Sequence, residues 1–124
     1  MTTSVETPQK YLINCENGAN NIERATISFV LAASASKTSE AVVFITSDAT
    51  NLCVKGGAEG LVYEGMEPIS DLISQFTGNG GKLWVCPVCA KVKGITQDDL
   101  IDGAEIAGAP RTMDFLSTGG RLLH

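Results

Sequence analysis

Two cysteines three positions apart follow a short apolar segment, and this arrangement suits sulfur chemistry. Residues 83–85 (Leu-Trp-Val) predict a buried strand, and Cys86 and Cys89 come directly after it. Pro87 is favoured at the first position of a helix, where its missing N–H costs no hydrogen bond, so Cys86 falls at the helix N-cap. Unpaired N–H groups and the positive end of the helix dipole stabilise the thiolate there. The pattern therefore predicts that Cys86 is a nucleophile.

A Cys-x-x-Cys motif alone is compatible with a redox dithiol, a metal-binding pair or two small core residues. The order strand, Cys, Pro, helix favours sulfur or redox chemistry over the other two. A structural zinc site usually needs four ligands, and the only other cysteines are Cys15 and Cys53. We expect no cofactor and no metal. The competing hypothesis is a non-enzymatic, oligomeric binding protein that holds a metal or small ligand through cysteines at the strand ends.

Other candidate binding residues are predicted at the same edge of the sheet. Asn14 and Cys15 end the first predicted strand, and Asp48 follows the second. Ligands of parallel sheets bind beyond the carboxyl ends of the strands, which all meet at one edge. Asp48 is expected either to orient a partner or, more often for this residue type, to cap the next turn. Lys91 and Lys93 would add positive charge near a thiolate, although lysines more commonly lie on a solvated helix face.

Strands and helices alternate along the chain, and this order predicts the fold class. Strands are predicted near residues 11–15, 41–47, 82–86, 104–107 and 121–124. Helices are predicted from Asn20 or Asn21, from Glu67–Pro68, after Cys86 and from Pro110. The alternation indicates a three-layer α/β/α domain with a mainly parallel, five-stranded sheet. Residues 104–107 could instead end a helix. We expect a flexible tail over residues 1–9 and a single domain over residues 10–124.

Bulk composition excludes several classes of partner. The net charge of −5 argues against a broad nucleic-acid interface. No apolar segment approaches the ~20 residues that span a bilayer, so no membrane partner is expected. The polar N-terminus lacks the basic and apolar regions of a signal peptide. Because no signal peptide is indicated, the chain is predicted to be cytoplasmic, where thiols stay reduced unless redox chemistry is their function.

An apolar loop predicts self-association. Leu61, Val62, Tyr63 and Met66 follow neither a helical nor a strand period. Contiguous exposed apolar surface usually marks an interface, and closed homo-oligomers are its common result. The alternative is that this loop folds over Cys86 as a lid.

The segment from Cys86 to Ile95 resembles the active segment of the DsrE/DsrF-like family, which includes TusD-type sulfur-relay subunits. In that family a strand ends in a cysteine, and a basic residue, a glycine and an aliphatic residue follow one short helix later. Here those residues are Lys93, Gly94 and Ile95. The resemblance implies an α/β/α fold, a trimer or hexamer, and a cysteine that passes sulfane sulfur between donor and acceptor proteins. It implies that Cys86 is this sulfur carrier.

A second cysteine in the motif is found in only part of that family. A neighbouring thiol such as Cys89 can attack a persulfide on Cys86, which releases sulfide and leaves a disulfide. The sequence hypothesis is therefore cysteine-based sulfur handling, by persulfide transfer or thiol redox chemistry, with Cys86 as carrier and Cys89 as resolving or modulating thiol. Whether this amounts to a sulfurtransferase-like enzyme activity is left open by the sequence.

Overall fold

A computed structural model describes residues 9–123 of the chain. At its centre is a sheet of five strands in the order β4-β3-β2-β1-β5. The strands are β1 (Lys10–Cys15), β2 (Glu40–Ile45), β3 (Lys82–Val85), β4 (Ala104–Ile106) and β5 (Gly120–Leu123). All neighbouring strands are parallel, so the predicted fold class is confirmed. Apart from Gln9, the predicted tail lies outside the described residues, as does His124 at the end of the fifth predicted strand.

Helices lie on both faces of the sheet and complete the three layers. They are α1 (Ile22–Ser36), α2 (Ile69–Gly78), α3 (Pro87–Val92) and α4 (Ala109–Ser117). Alternate residues of a strand point to opposite faces, so each strand contributes to two cores. The larger core, under α1 and α2, includes Ile13, Phe29, Val43, Phe76 and Val85. The smaller core, under α4, is formed by Leu12, Val42, Trp84, Ala107 and Phe115.

Local chemistry explains where α1 begins. The side chain of Asn21 accepts a hydrogen bond from the backbone N–H of Arg24 at 3.2 Å. This bond satisfies one of the N–H groups that a helix start leaves without a partner, which is the usual role of an N-cap asparagine. Asn21 is therefore the N-cap of α1, and it is one of the two residues, Asn20 and Asn21, that the sequence offered.

The fourth predicted strand, over residues 104–107, is the edge strand β4, Ala104–Ile106, and the side chain of Gln97 supports it. The capping box of Thr96 and Asp99 starts only a short 3-10 helix, Gln97–Asp99, which does not continue. The Gln97 amide then donates to the Ala104 carbonyl and accepts from the Ile106 N–H, both at 2.9 Å. Because Gln97 satisfies these backbone groups, β4 is stable without a further strand beside it.

The second predicted strand is shorter than expected and ends at Ile45. Ser47 has a φ of 52°, the only positive φ of a non-glycine residue among those described. This value turns the chain out of the sheet into a 3-10 helix, Ser47–Cys53. The bend matters for the site because it brings the segment after β2 towards α3.

The apolar loop over residues 61–66 leaves part of its surface open. Leu61 packs against the larger core, whereas Val62 is 50% exposed. No helix within residues 9–123 combines the length and apolar character needed to cross a bilayer.

Candidate functional site

Cys86 lies at the junction of β3 and α3, where backbone hydrogen bonds hold it in place. Its N–H donates to the Ile45 carbonyl of β2 at 2.9 Å, and its carbonyl accepts from the Ala90 N–H at 3.0 Å. β3 is an interior strand between β2 and β4, so the junction is supported on both sides. Cys86 is the N-cap residue of α3, with Pro87 in the first turn.

The sulfur of Cys86 is partly exposed, and its surroundings favour the thiolate. Partial burial raises its pKa, but the backbone N–H groups of Cys89 and Val88 and the Cys89 side chain lower it by more. The pKa of Cys86 therefore lies below the ordinary value of 9.0. A charged sulfur is a stronger acceptor than a thiol, so these donors stabilise the ionised form selectively. Cys86 thus combines access from solvent with a stabilised thiolate.

Cys89, one turn further along α3, is also partly exposed. Its Sγ accepts a hydrogen bond from the backbone N–H of Ser47 at 3.3 Å. The Cys89 side chain is also near enough to Cys86 to help lower that residue's pKa. The two sulfurs of the motif are therefore neighbours, and a backbone donor from the turn after β2 faces one of them.

Asp48 and Lys93 form a second contact between that turn and α3. Lys93 Nζ lies 3.9 Å from Asp48 Oδ1. The expectation that Asp48 caps the following turn is wrong, because Thr46 is the N-cap of the 3-10 helix and Asp48 lies in its first turn. Lys91 is exposed on α3 and leaves its charge in solvent.

Asn14 lies apart from the motif. β1 and β3 are separated by β2 in the sheet, and Asn14 Nδ2 donates to Glu16 Oε2 at 3.1 Å. Asn14 borders a different cavity, of about 360 Å³, whose other lining residues are Glu16, Asn17, Glu23, Arg24, Ile27, Ser28 and Leu31. The structure therefore does not bring Asn14 together with Cys86, although both lie at carboxyl ends of strands.

Cys15 and Cys53 form a second, buried pair of thiols. Cys15 is 1% exposed and Cys53 is 0% exposed. Burial raises the pKa of each, and for Cys53 the nearby Cys15 raises it further. Within residues 9–123, no group of three or more His, Cys, Asp or Glu side chains could hold a metal ion. The sulfurs fall into two separate pairs, so the metal-binding alternative gains no support from the geometry.

Sequence reasoning missed the role of Ser47. A serine that follows a strand usually indicates a turn, and nothing in its residue type reveals a positive φ or a hydrogen bond to Cys89. The only available signal was the polar triplet Thr46-Ser47-Asp48 at a strand end. The hydrogen bond from Ser47 to Cys89 depends on how the 3-10 helix packs on α3.

The sequence of the chain is similar to a known protein family and to one curated protein. A model of the DsrE/DsrF-like family matches residues 9–124. The uncharacterized protein MJ0760 of Methanocaldococcus jannaschii is 32% identical over 108 residues, which are 86% of this chain. The chain spans only 39% of the length of that curated relative.

Two solved structures have a similar fold. The YchN protein of E. coli has a TM-score of 0.64 at 17% identity, over 94% of this chain and 100% of its own. The protein of unknown function MTH1491 from Methanobacterium thermoautotrophicum has a TM-score of 0.64 at 14% identity, over 94% of this chain and 98% of its own. At these identities the likeness concerns the fold alone.

Proposed function

Because the chain belongs to the DsrE/DsrF-like family, we propose that it handles sulfane sulfur through Cys86, which acts as nucleophile and sulfur carrier. The family is generally linked to sulfur relay. The observation that carries the proposal is the partly exposed thiol of Cys86, whose pKa is lowered at a rigid strand–helix junction. A thiolate that solvent can reach is the form of cysteine that attacks sulfur.

The proposed reaction is a transfer of one sulfur atom. The Cys86 thiolate attacks the outer sulfur of a persulfide donor, the donor's S–S bond breaks, and the donor leaves as a thiolate. Cys86 then carries a persulfide. An acceptor thiolate attacks the outer sulfur of this persulfide and takes it away, which returns Cys86 to its starting form.

Residues around Cys86 suit contact with a partner protein. Val88 and Val92 are 69% and 81% exposed, and their spacing of four places them on one side of α3. Exposed apolar residues next to a reactive group are typical of an interface. Lys91 and Lys93 add positive charge, which favours donors and acceptors whose contact surfaces are acidic. We therefore assign donor and acceptor binding to α3.

Asn14 and Cys15 are not given a role in sulfur transfer. Asn14 faces a separate cavity, and the Cys15 thiol is buried with a raised pKa. Asp48 is assigned a positioning role, because its carboxylate pairs with Lys93 of α3.

We also propose that the chain self-associates through the exposed part of the loop over residues 61–66. Val62 and Tyr63 remain exposed in the single chain. Size-exclusion chromatography with light scattering tests this: an assembly larger than the 13.0 kDa chain is expected, and a monomer at all concentrations would contradict it.

Donor consumption tests the sulfur-carrier role. The protein is mixed with excess glutathione persulfide, and the small molecules are then separated from it. Cyanolysis measures the sulfane sulfur left in the small-molecule fraction, and the difference from the amount added is the sulfane sulfur lost from the donor. The wild-type protein is expected to consume one equivalent per chain at least. Cys86→Ser is expected to consume none, and Cys15→Ala, the matched control, is expected to behave as wild type. Equal consumption by wild type and Cys86→Ser would refute the proposal.

A further inference from the structure

The turn after β2 is fixed against α3 by two contacts one helical turn apart. The Ser47 N–H donates to Cys89 Sγ at 3.3 Å, and Asp48 pairs with Lys93 at 3.9 Å. Two consecutive residues of one segment thus meet Cys89 of α3 and Lys93, the C-cap residue four positions further along. The double contact places the turn after β2 against the Cys89 side chain.

The conformation of Ser47 indicates that this arrangement is held at some energetic cost. A φ of 52° is rare for a residue with a β-carbon, and Ser47 is alone in this respect among the described non-glycine residues. Strained backbone of this kind persists only where the surrounding structure maintains it, and it concentrates at functional sites. Here the strained residue directs its N–H at a sulfur. The Ser47 N–H therefore orients the Cys89 side chain at the site.

We propose that Cys89 is a resolving thiol and that the protein releases the sulfur of its Cys86 persulfide as hydrogen sulfide. This inference rests on the proposed loading of Cys86. The Cys89 thiol, positioned by the Ser47 N–H, gives its proton to solvent as its sulfur attacks Cys86 Sγ of the persulfide. The bond from Cys86 to the outer sulfur breaks, hydrosulfide leaves, and a Cys86–Cys89 disulfide forms.

The overall reaction balances in atoms and electrons. One persulfide and the two cysteine thiols give one donor thiol, one hydrogen sulfide and one disulfide. The sulfane sulfur gains two electrons, which the two cysteine thiols supply as they are oxidised. A dithiol reductant then exchanges with the Cys86–Cys89 disulfide and restores both thiols. The substrate class is therefore a persulfide, and the step that must follow is thiol–disulfide exchange with a dithiol.

A single-turnover experiment separates this activity from simple sulfur carriage. Reduced wild type and Cys89→Ser are each mixed with one equivalent of glutathione persulfide, without further reductant. Released sulfide is followed over time, and the protein is then alkylated and analysed by peptide mass spectrometry. Serine keeps an oxygen that accepts the Ser47 N–H, so Cys89→Ser retains this contact with the turn after β2. Equal melting temperatures verify that its fold is intact.

The wild type is expected to release one sulfide per chain and to end with Cys86 and Cys89 peptides joined by a disulfide. Cys89→Ser is expected to keep a persulfide on Cys86 and to release sulfide at least about tenfold more slowly, because an intramolecular thiol is replaced by dilute external ones. If wild type keeps its persulfide as long as Cys89→Ser and forms no disulfide, the resolving role is wrong while sulfur carriage stands. If neither protein takes up sulfur, the proposed function itself fails.

Discussion

Cys86 and Cys89 at the surface and Cys15 and Cys53 in the core have the same residue type but opposite chemistry. Cys86 follows β3 and Cys15 ends β1, so both lie at the carboxyl edge of the sheet, with β2 between their strands. Cys86 is partly exposed, and the nearby N–H groups bring its pKa down despite partial burial. The pKa values of Cys15 and Cys53 are raised, chiefly by burial. Two thiols at one edge of a sheet, on strands separated by a third, can therefore be reactive and inert.

The difference comes from how deeply each sulfur is buried and from the N–H groups near Cys86, rather than from distance to the sheet edge. Cys86 caps a helix whose first N–H groups have no partner within the helix. Cys15 Sγ faces the Asn17 carbonyl at 3.5 Å and is otherwise enclosed. Burial of Cys15 removes the solvent that a thiolate needs and raises its pKa, and the hydrogen bonds from the Ser28 side chain and the Asn17 backbone offset this only in part. The buried pair thus serves packing, and the surface pair serves chemistry.

The largest expected contrast is in alkylation of the native protein. Iodoacetamide should modify Cys86 at least about a thousandfold faster than Cys15 or Cys53, because buried thiols react only when the structure opens at a cost of several kcal/mol. Peptide mass spectrometry over a time course measures both rates. Comparable rates in the folded protein would show that the core around Cys15 and Cys53 opens readily.

Serine substitution should destabilise the protein more at the buried pair of cysteines than at the surface pair. Cys53→Ser places a hydroxyl in a fully buried site and is expected to lower the free energy of unfolding by about 1–3 kcal/mol. Cys86→Ser, the matched surface control, should change it by less than about 0.5 kcal/mol. Urea denaturation gives both values. A neutral Cys53→Ser would indicate that the core offers the hydroxyl a hydrogen-bond partner.

Alkaline pH should destabilise the protein through the buried pair. The folded pKa of Cys53 is raised, so its thiol stays protonated in the folded state while the unfolded thiol ionises above the ordinary value of 9.0. Stability supplied by this thiol is complete below that pH and is lost as the pH rises, by about 1.4 kcal/mol per pH unit.

Cys53→Ala isolates that contribution, because other groups titrate alike in both proteins. Its free energy of unfolding should fall less steeply above about pH 9 than that of wild type, by about 1.4 kcal/mol per unit. Identical slopes would mean that Cys53 ionises equally in the folded and unfolded states.

The smallest expected effect concerns the contact between Asp48 and Lys93. Lys93→Gln should change the free energy of unfolding by less than about 1 kcal/mol, since both groups are partly exposed and the pair is long. Lys91→Gln, which lies on the same helix, is the matched control. A clearly larger loss for Lys93→Gln would show that the pair does more to hold the turn than its exposure suggests.

Sequence patterns were sufficient for the elements of the fold. Continuous apolar segments predicted β2 and β3, and helical spacing predicted α1 and α2, because burial imposes those periods. The N-cap position of Cys86 followed from Pro87 alone. These features are local, so residue type and spacing determine them.

Features that depend on tertiary packing were not available from the sequence. The positive φ of Ser47 and its N–H bond to Cys89 require the turn after β2 to pack on α3. The role of Gln97 beside β4 depends on a segment returning to the sheet edge. Strand-end position alone placed Asn14 and Cys15 near the motif, but it could not distinguish side chains that face another cavity or the core.

Mapping sulfane sulfur among the four cysteines shows whether Cys86 is the sulfur carrier. Cys89→Ser, which lacks the resolving thiol, is loaded with glutathione persulfide, alkylated while folded, and digested for peptide mass spectrometry. One added sulfur atom is expected on the peptide that contains Cys86 and none on those that contain Cys15 or Cys53. Sulfur on a buried cysteine with Cys86 unmodified, or on no cysteine, would contradict the assignment of Cys86 as the sulfur carrier.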